Sequence, residues 1–282
     1  MGNHYVPRAY LRHFQVPDRP GFVWLYDKQG GDPHIASIDK ITQSHNYYSP
    51  ETEAALARDV EIPGNRAIER LLQGQQLNPS ERIDLSYYIG TMLMRGPRRR
   101  RRAREMYPQV LAETISEIRT EITEMAPAKD SGWSDRHLAE VDAVERKFAT
   151  DPPTKVVAQI REPWPYKSMV DAIGHMAWRV FKSPGPYYFI TTDNPVFFST
   201  DYGLARPESE LCFPLSTTQA VYGCWQGEPY SLTFINAPQQ LVKEVNRHLA
   251  SQAERLAFCH EKAPWLPQIL SKTHAVLSHI EW

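Results

Sequence analysis

The chain has 282 residues, with 32 Lys+Arg against 33 Asp+Glu and a formal net charge of −1 at pH 7. That balance excludes a uniformly basic nucleic-acid packager and an acidic disordered chain, and 41% hydrophobic residues at this length suffice for a sizeable core. Seven of the ten residues from Arg95 to Arg104 are arginine, so the rest of the chain is net acidic.

Residues 4–14 form an aromatic and basic opening, after which Pro17, Pro20 and Gly21 lead into a strand at 22–28. A Gly-Gly turn at 30–31 and a second extended stretch at 34–38 complete a predicted hairpin. A helix is expected over 52–73, broken at Ile62-Pro63-Gly64, because proline cannot donate and glycine relaxes the backbone. The next helix starts with Asn78 as cap, Pro79 in the first turn and Glu81 closing a capping box. It ends or kinks at Gly96-Pro97.

The following helix, 98–126, carries Met106, Val110, Leu111, Ile115, Ile118, Ile122 and Met125 at three-to-four spacing. Its polar side is basic at the start and acidic at Glu113, Glu117, Glu121 and Glu124, against the preference of the macrodipole. Connections rich in Pro, Gly and Asp at 127–135 and 150–165 flank a short helix at 136–149. A helix at 166–182 then gives way to short strands at 187–192, 196–199, 211–216, 220–225 and 231–235. A helix over 238–258 closes the core with Leu241, Val242, Val245, Leu249, Ala253 and Leu256. Clustered strands with segregated helices predict one α+β domain, 1–282, with a mixed or antiparallel sheet.

No charged-then-apolar leader and no run of about 18 apolar residues is present, which predicts neither a signal peptide nor a membrane span. Cys212, Cys224 and Cys259 are odd in number and lack knuckle spacing, so buried reduced thiols in a cytoplasmic setting are expected. No Walker loop, dinucleotide glycine fingerprint or His-Glu-x-x-His occurs.

Candidate chemistry lies in three places. His4, Tyr5, Arg8 and Arg12 combine a proton carrier with cations; a helix over 8–14 puts Arg8 and Arg12 on one face as an anion clamp. Asp193 and Asn194 precede Pro195 between two apolar runs, where Asp193 can act as base or metal ligand and Asn194 as orienter; the alternative is an Asx-turn bonding local backbone. Asp27-Lys28 ends the first strand. Glu61 reads as an ion-pair partner for an arginine, and Asn246, amid apolar helix positions, as a hydrogen-bonded structural clamp. The arginine block admits phosphate binding, an anionic site at Arg95 and Arg98 alone, or a helix face neutralised by its acidic half or a neighbouring subunit.

The segments 4–14, 23–28, Tyr48-Ser49, Glu61, Arg95-Gly96-Pro97-Arg98, 189–196, 213–216 and Asn246 with Ala253 and Arg255 together resemble the domain of unknown function 4238 family. His-Tyr-Val-Pro and Asp-Asn-Pro-Val are its specific parts, and Gly96 stands where a hydroxyl residue is expected. The resemblance implies a single domain with a composite site. It supports functional roles for His4, Asp193 and Asn194, but carries no activity of its own. The leading reading is a hydrolase acting on a phosphodiester, with nucleic acid as a candidate substrate. His4 would shuttle the proton, Asp193 and Asn194 would act as base and orienter, and Tyr5, Arg8, Arg12, Lys28, Arg95 and Arg98 would hold an anionic substrate. A divalent metal ion is compatible with this set, although no ligand motif is present. The alternatives are a non-catalytic module that grips nucleic acid or an acidic partner through the arginine helix, and an enzyme modifying a peptide or metabolite.

Overall fold

A computed structural model describes residues 2–45, 48–126, 132–151, 163–199 and 203–271. The expected connections at 127–135 and 150–165 fall largely outside the described residues. The protein is α+β, and the chain divides into two compact units, residues 1–98 with 163–282, and residues 99–162.

In the first unit, β1 (Gly2–His4) is followed by α1 (Arg8–Leu11), a 3-10 turn (Arg12–Phe14) and the antiparallel hairpin β2 (Phe22–Asp27) and β3 (His34–Ser37). Strand β4 (Gln43–His45) returns to pair with β1. Helix α2 (Pro50–Ala55) passes through a π-helical turn (Leu56–Glu61) into α3 (Ile62–Leu72). The expected break at Ile62-Pro63-Gly64 is therefore absent. Pro63 falls in the first turn of α3, where the missing N–H costs nothing, and the wider π turn absorbs the misfit. Helix α4 (Pro79–Arg95) carries the capping box. Asn78 Oδ1 accepts from Glu81 N, and Glu81 Oε2 accepts from Asn78 N, both at 2.9 Å.

Helices α3 and α4 pack closely because Gly64 has no side chain. A Cβ there would lie 2.4 Å from the Tyr88 ring. We expect Gly64→Ala to cost about 1–3 kcal/mol through overpacking, read as a lower urea midpoint; an unchanged midpoint would contradict this packing.

Helix α5 (Pro97–Met125) enters the second unit, which also holds α6 (Trp133–Thr150). Arg119 reaches Asp142 and Glu145 at 2.7 and 2.6 Å, and Tyr107 Oη donates to Phe148 O, so α5 and α6 run antiparallel. Of the apolar positions expected to be buried on α5, only Ile115 and Ile122 are; Met106, Val110, Ile118 and Met125 are exposed.

The first unit resumes with α7 (Lys167–His175), β5 (Ala177–Lys182), β6 (Thr191–Thr192), β7 (Phe197–Phe198), β8 (Glu210–Pro214), β9 (Gln219–Cys224) and β10 (Leu232–Asn236). Helix α8 (Gln239–Gln252), β11 (Leu256–Cys259) and α9 (Leu266–Ser271) follow. Two expectations are corrected here. Residues 177–182 are strand, not the end of a helix, and 256–259 are strand rather than the tail of α8. Both are short apolar runs covered on both faces, where periodicity does not separate helix from strand.

A five-stranded sheet has the order β10-β5-β9-β8-β7, parallel only between β10 and β5. Its strands alternate between two cores. Trp178, Val180, Phe213 and Val221 face α3 and α4, while Phe181, Cys212 and Tyr222 face Val242, Val245 and Leu249 of α8. Burying each of these side chains is worth roughly 1.5–3 kcal/mol. A four-stranded antiparallel sheet has the order β3-β2-β11-β6. Cys212, Cys224 and Cys259 are free and buried.

Candidate functional site

The opening segment is fixed to the core by Tyr10. Its hydroxyl shares a hydrogen bond with Thr191 Oγ1 at 2.8 Å and donates to Pro214 O at 2.9 Å, and its ring stacks on Phe213. This anchor sets where His4 lies. The His4 carbonyl accepts a hydrogen bond from Arg95 Nη2. Arg95 is 1% exposed and binds Glu61 Oε1 at 2.8 Å. Burial works against the Arg95 charge, but Glu61, Tyr48 and Tyr88 outweigh it and strengthen its hold on the proton.

Burial lowers the His4 pKa, and the positive charges of Arg8 and Arg95 push the same way, against the backbone and carboxylate of Asp39. The imidazole therefore favours its neutral form at pH 7, and its Nε2 is buried with no hydrogen-bond partner. Burial raises the pKa of Glu53, against the pull of Arg95; Glu61 adds to the rise, while Asn3 and Arg8 oppose it. Glu53 Oε2 is likewise buried and unpartnered. Tyr88, Thr91 and Arg95 recur at three- and four-residue spacing, which places them on one face of α4. Tyr88 Oη and Thr91 Oγ1 are also buried without partners. A proton acceptor, a carboxyl with raised pKa and a buried cation thus share one polar region between β1, α2, α3 and α4.

A second group gathers at the C-terminal end of α8, where backbone carbonyls lack helical partners. Lys28 Nζ donates to Ala250, Ser251 and Ala253 carbonyls at 3.2–3.4 Å. Asn194 Nδ2 and Arg98 Nη1 both reach Gln252 O, at 3.0 and 3.4 Å. Cations at a helix C-terminus are favoured by the macrodipole. Asp193 is 1% exposed. Its Oδ1 accepts from Glu254 N at 2.8 Å, and its Oδ2 from Arg255 N at 2.8 Å and Leu256 N at 2.9 Å. Burial pushes the Asp193 carboxyl up to about 6, against the opposing pull of these three amides. Asp27 binds Arg255 at 2.6 Å.

The two groups approach one another at Gly96, where a Cβ would lie 3.1 Å from Asn194 Oδ1. His4 and Arg95 are thus brought together, as are Asn194, Arg98 and Lys28. The Asp193 carboxylate is turned to backbone amides, departing from the arrangement expected of a free base. Arg8 is exposed and pairs with Asp39 at 3.0 Å. Arg12 is exposed, and Tyr5 packs partly buried against the core. The expected clamp of Asn246 is present: its amide donates to Tyr188 O and accepts from Ile190 N. Among the described residues no group of three His, Cys, Asp or Glu side chains is arranged to hold a metal ion, and no helix is long and apolar enough to cross a membrane.

The sequence reading passed over Glu53, Thr91 and Arg82. Arg82 lies over Trp178 at 4.1 Å and donates to Gly174 O at 2.7 Å and Met176 O at 2.6 Å. Its signal was legible, since it falls in phase with buried Leu85 and Ile89 on α4. Glu53 carries no such signal. A cavity of about 410 Å³ is lined by Tyr187, Tyr188, Lys243, Asn246, Arg247 and Trp265 among others, and by none of the candidate catalytic or substrate-holding residues.

The class defined by these features is an α+β protein whose separated motifs meet in a hydrogen-bonded frame beside a buried His/Glu/Arg cluster. The chain belongs to the family described as Protein of unknown function (DUF4238), whose model matches residues 3–263. Among curated proteins and solved structures, nothing matches it.

Proposed function

We propose that the protein is a hydrolase acting on a phosphodiester, with nucleic acid as a candidate substrate and His4 as proton shuttle. The observation that supports this reading is the His4 ring. It is held neutral, with Nε2 uncommitted, in the field of Arg8 and Arg95. In this reading Glu53, with its raised pKa, is the complementary acid, because an acid–base pair works best with pKa values near the operating pH. Arg95 and Arg8 would hold the anionic oxygens. Asp193 and Asn194 become positioning residues that fix the turn against Gly96.

The test is cleavage of bis-p-nitrophenyl phosphate, single-stranded DNA and RNA by the purified chain. His4→Ala and Glu53→Gln should each lower turnover about 10²–10⁴-fold with unchanged far-UV circular dichroism. Full-rate cleavage by a folded His4→Ala variant would overturn the proposal. Because burial, and after it Arg8 and Arg95, depress its pKa, His4 should titrate below 6.5 by NMR, and Arg8→Ala should move that midpoint upward. An acid limb in the pH–rate profile should move with it. The binding-module reading draws on the exposed Arg101, Arg102 and Arg104. It predicts that nucleic-acid affinity and its salt slope fall on changing Arg99 to Arg102, while His4→Ala changes nothing.

A further inference from the structure

The cavity of about 410 Å³ beside α8 has no part in the proposed reaction, and its lining is chemically divided. Its volume falls within the roughly 300–1,000 Å³ typical of small-molecule sites. The flat, apolar part of the wall comes from Tyr187, Tyr188 and Trp265, with Val242 and Ile269 between them in kind. The Tyr188 and Trp265 rings have centroids 5.8 Å apart and are tilted by 48°. Tyr188 is 9% exposed and Trp265 is 37% exposed, so one ring belongs to the core and the other to the surface.

The cationic part comes from Lys243 and Arg247, four residues apart and therefore on one face of α8. Lys243 Nζ lies 5.4 Å from the centroid of the Tyr187 ring. Among the described residues neither cation forms an ion pair. Glu261 supplies a carboxylate near Tyr188. Burial first, then Cys259 and Glu261, raise the pKa of the Tyr188 hydroxyl, which keeps its proton at neutral pH.

Each feature selects one part of a ligand. Aromatic rings at an open cavity favour a planar aromatic body. Two cations without carboxylate partners favour an anion such as a phosphate, which arginine grips through paired N–H donors. A carboxylate only accepts hydrogen bonds, so it favours a ring edge that carries N–H groups. These three parts occur together in a nucleotide, and guanine presents adjacent N–H donors on one edge. We infer that this cavity is a binding site for a nucleoside monophosphate, with Lys243 and Arg247 on the phosphate, Tyr188 and Trp265 on the base and Glu261 on its N–H edge. The site shares no residue with the His4 cluster and stands independently of the hydrolase reading.

Isothermal titration calorimetry of the full chain with guanosine monophosphate tests this. Saturable binding is expected, with a Kd of about 10 μM to 1 mM. Guanosine and inorganic phosphate should each bind at least about tenfold more weakly, since each fills one part of the site. Lys243→Ala with Arg247→Ala, and Trp265→Ala alone, should each lower affinity about tenfold or more. These side chains are exposed or half-buried, and an unchanged thermal midpoint without ligand verifies folding. Uridine monophosphate should bind more weakly than guanosine monophosphate, and Glu261→Gln should narrow that difference; equal binding of the two would overturn the role of Glu261. His4→Ala should bind like the wild type. The site is overturned if no saturable binding occurs up to about 1 mM, or if binding survives both the cation and the Trp265 changes. Binding lost in His4→Ala but kept in the Lys243/Arg247 variant would overturn it in favour of the His4 cluster. Phenyl phosphate binding as tightly as guanosine monophosphate would overturn the nucleotide in favour of a generic aromatic anion.

Discussion

Replacing Glu61 by alanine is expected to destabilise the fold by roughly 3–5 kcal/mol, the range for breaking a buried ion pair from one side. Arg95 is 1% exposed, whereas Glu61 is 23% exposed. Without Glu61 the guanidinium stays in the interior and loses its carboxylate at 2.8 Å. The hydrogen bond to the His4 carbonyl does not neutralise it. Arg95→Met should cost less, about 2–3 kcal/mol, because the unpaired Glu61 can turn towards water. The double variant should fall well short of the sum of the two, since an apolar replacement of the whole pair removes the uncompensated charge. Urea denaturation of the four proteins measures the coupling. Additive losses would mean that Arg95 and Glu61 do not act as a pair. Arg95→Lys should behave as a loss, because an ammonium cannot reproduce the guanidinium fork that reaches Glu61 and His4 together.

Asp193→Ala is the second large effect, about 3 kcal/mol. Its carboxylate accepts three successive backbone amides, at Glu254, Arg255 and Leu256, and alanine would leave all three without their acceptor. Asp193→Asn should cost about 1–2 kcal/mol. An amide group keeps one acceptor oxygen, but it turns an NH₂ towards an N–H. Asn194→Ala, which removes one donor to Gln252 O, should cost about 1 kcal/mol. Denaturation midpoints in the order Asn194→Ala, Asp193→Asn, Asp193→Ala, from highest to lowest, are the expected result. Turnover provides the complementary reading. As a positioning residue, Asp193 replaced by Asn leaves activity proportional to the folded fraction and keeps the pH profile. A general base would lose turnover with the fold intact.

Features written in local chemistry were legible in the sequence. The cap at Asn78, the hairpin of β2 and β3, the stop at Gly96-Pro97 and the clamp at Asn246 each depend on a few neighbouring residues or one amphipathic face. The errors fell where tertiary surroundings decide. Residues 177–182 carry an apolar run that suits a helix or a buried strand, and only the flanking β9 and β10 make it a strand. On α5 a periodic apolar pattern is present, but no layer among the described residues covers most of it. At the candidate site, His4 and Arg95 were chosen separately for their chemistry; their meeting depends on the Tyr10 anchor to residues 191 and 214. Glu53 was invisible because its raised pKa arises from burial and not from any adjacent motif. The local sequence offers Asp193 as a base or metal ligand, and it does not show that three amides from a segment about 60 residues later occupy its oxygens.

Strand β11 lies between β2 and β6, with Phe258 opposite both Leu25 and Thr191. On the ribosome, the first of these partners emerges long before β11 exists. Chains grow at about 5–20 residues per second, so the inner edge of β2 waits on the order of ten seconds or more for its neighbour. Throughout that interval its unpaired N–H and C=O groups offer a template to any other nascent chain. Completion of this sheet is thus a late event in synthesis, and a block or slowdown before residue 256 would present an open edge to the cell's chaperones. Expression yield should consequently be more sensitive to holdase supply than the finished protein's stability would suggest.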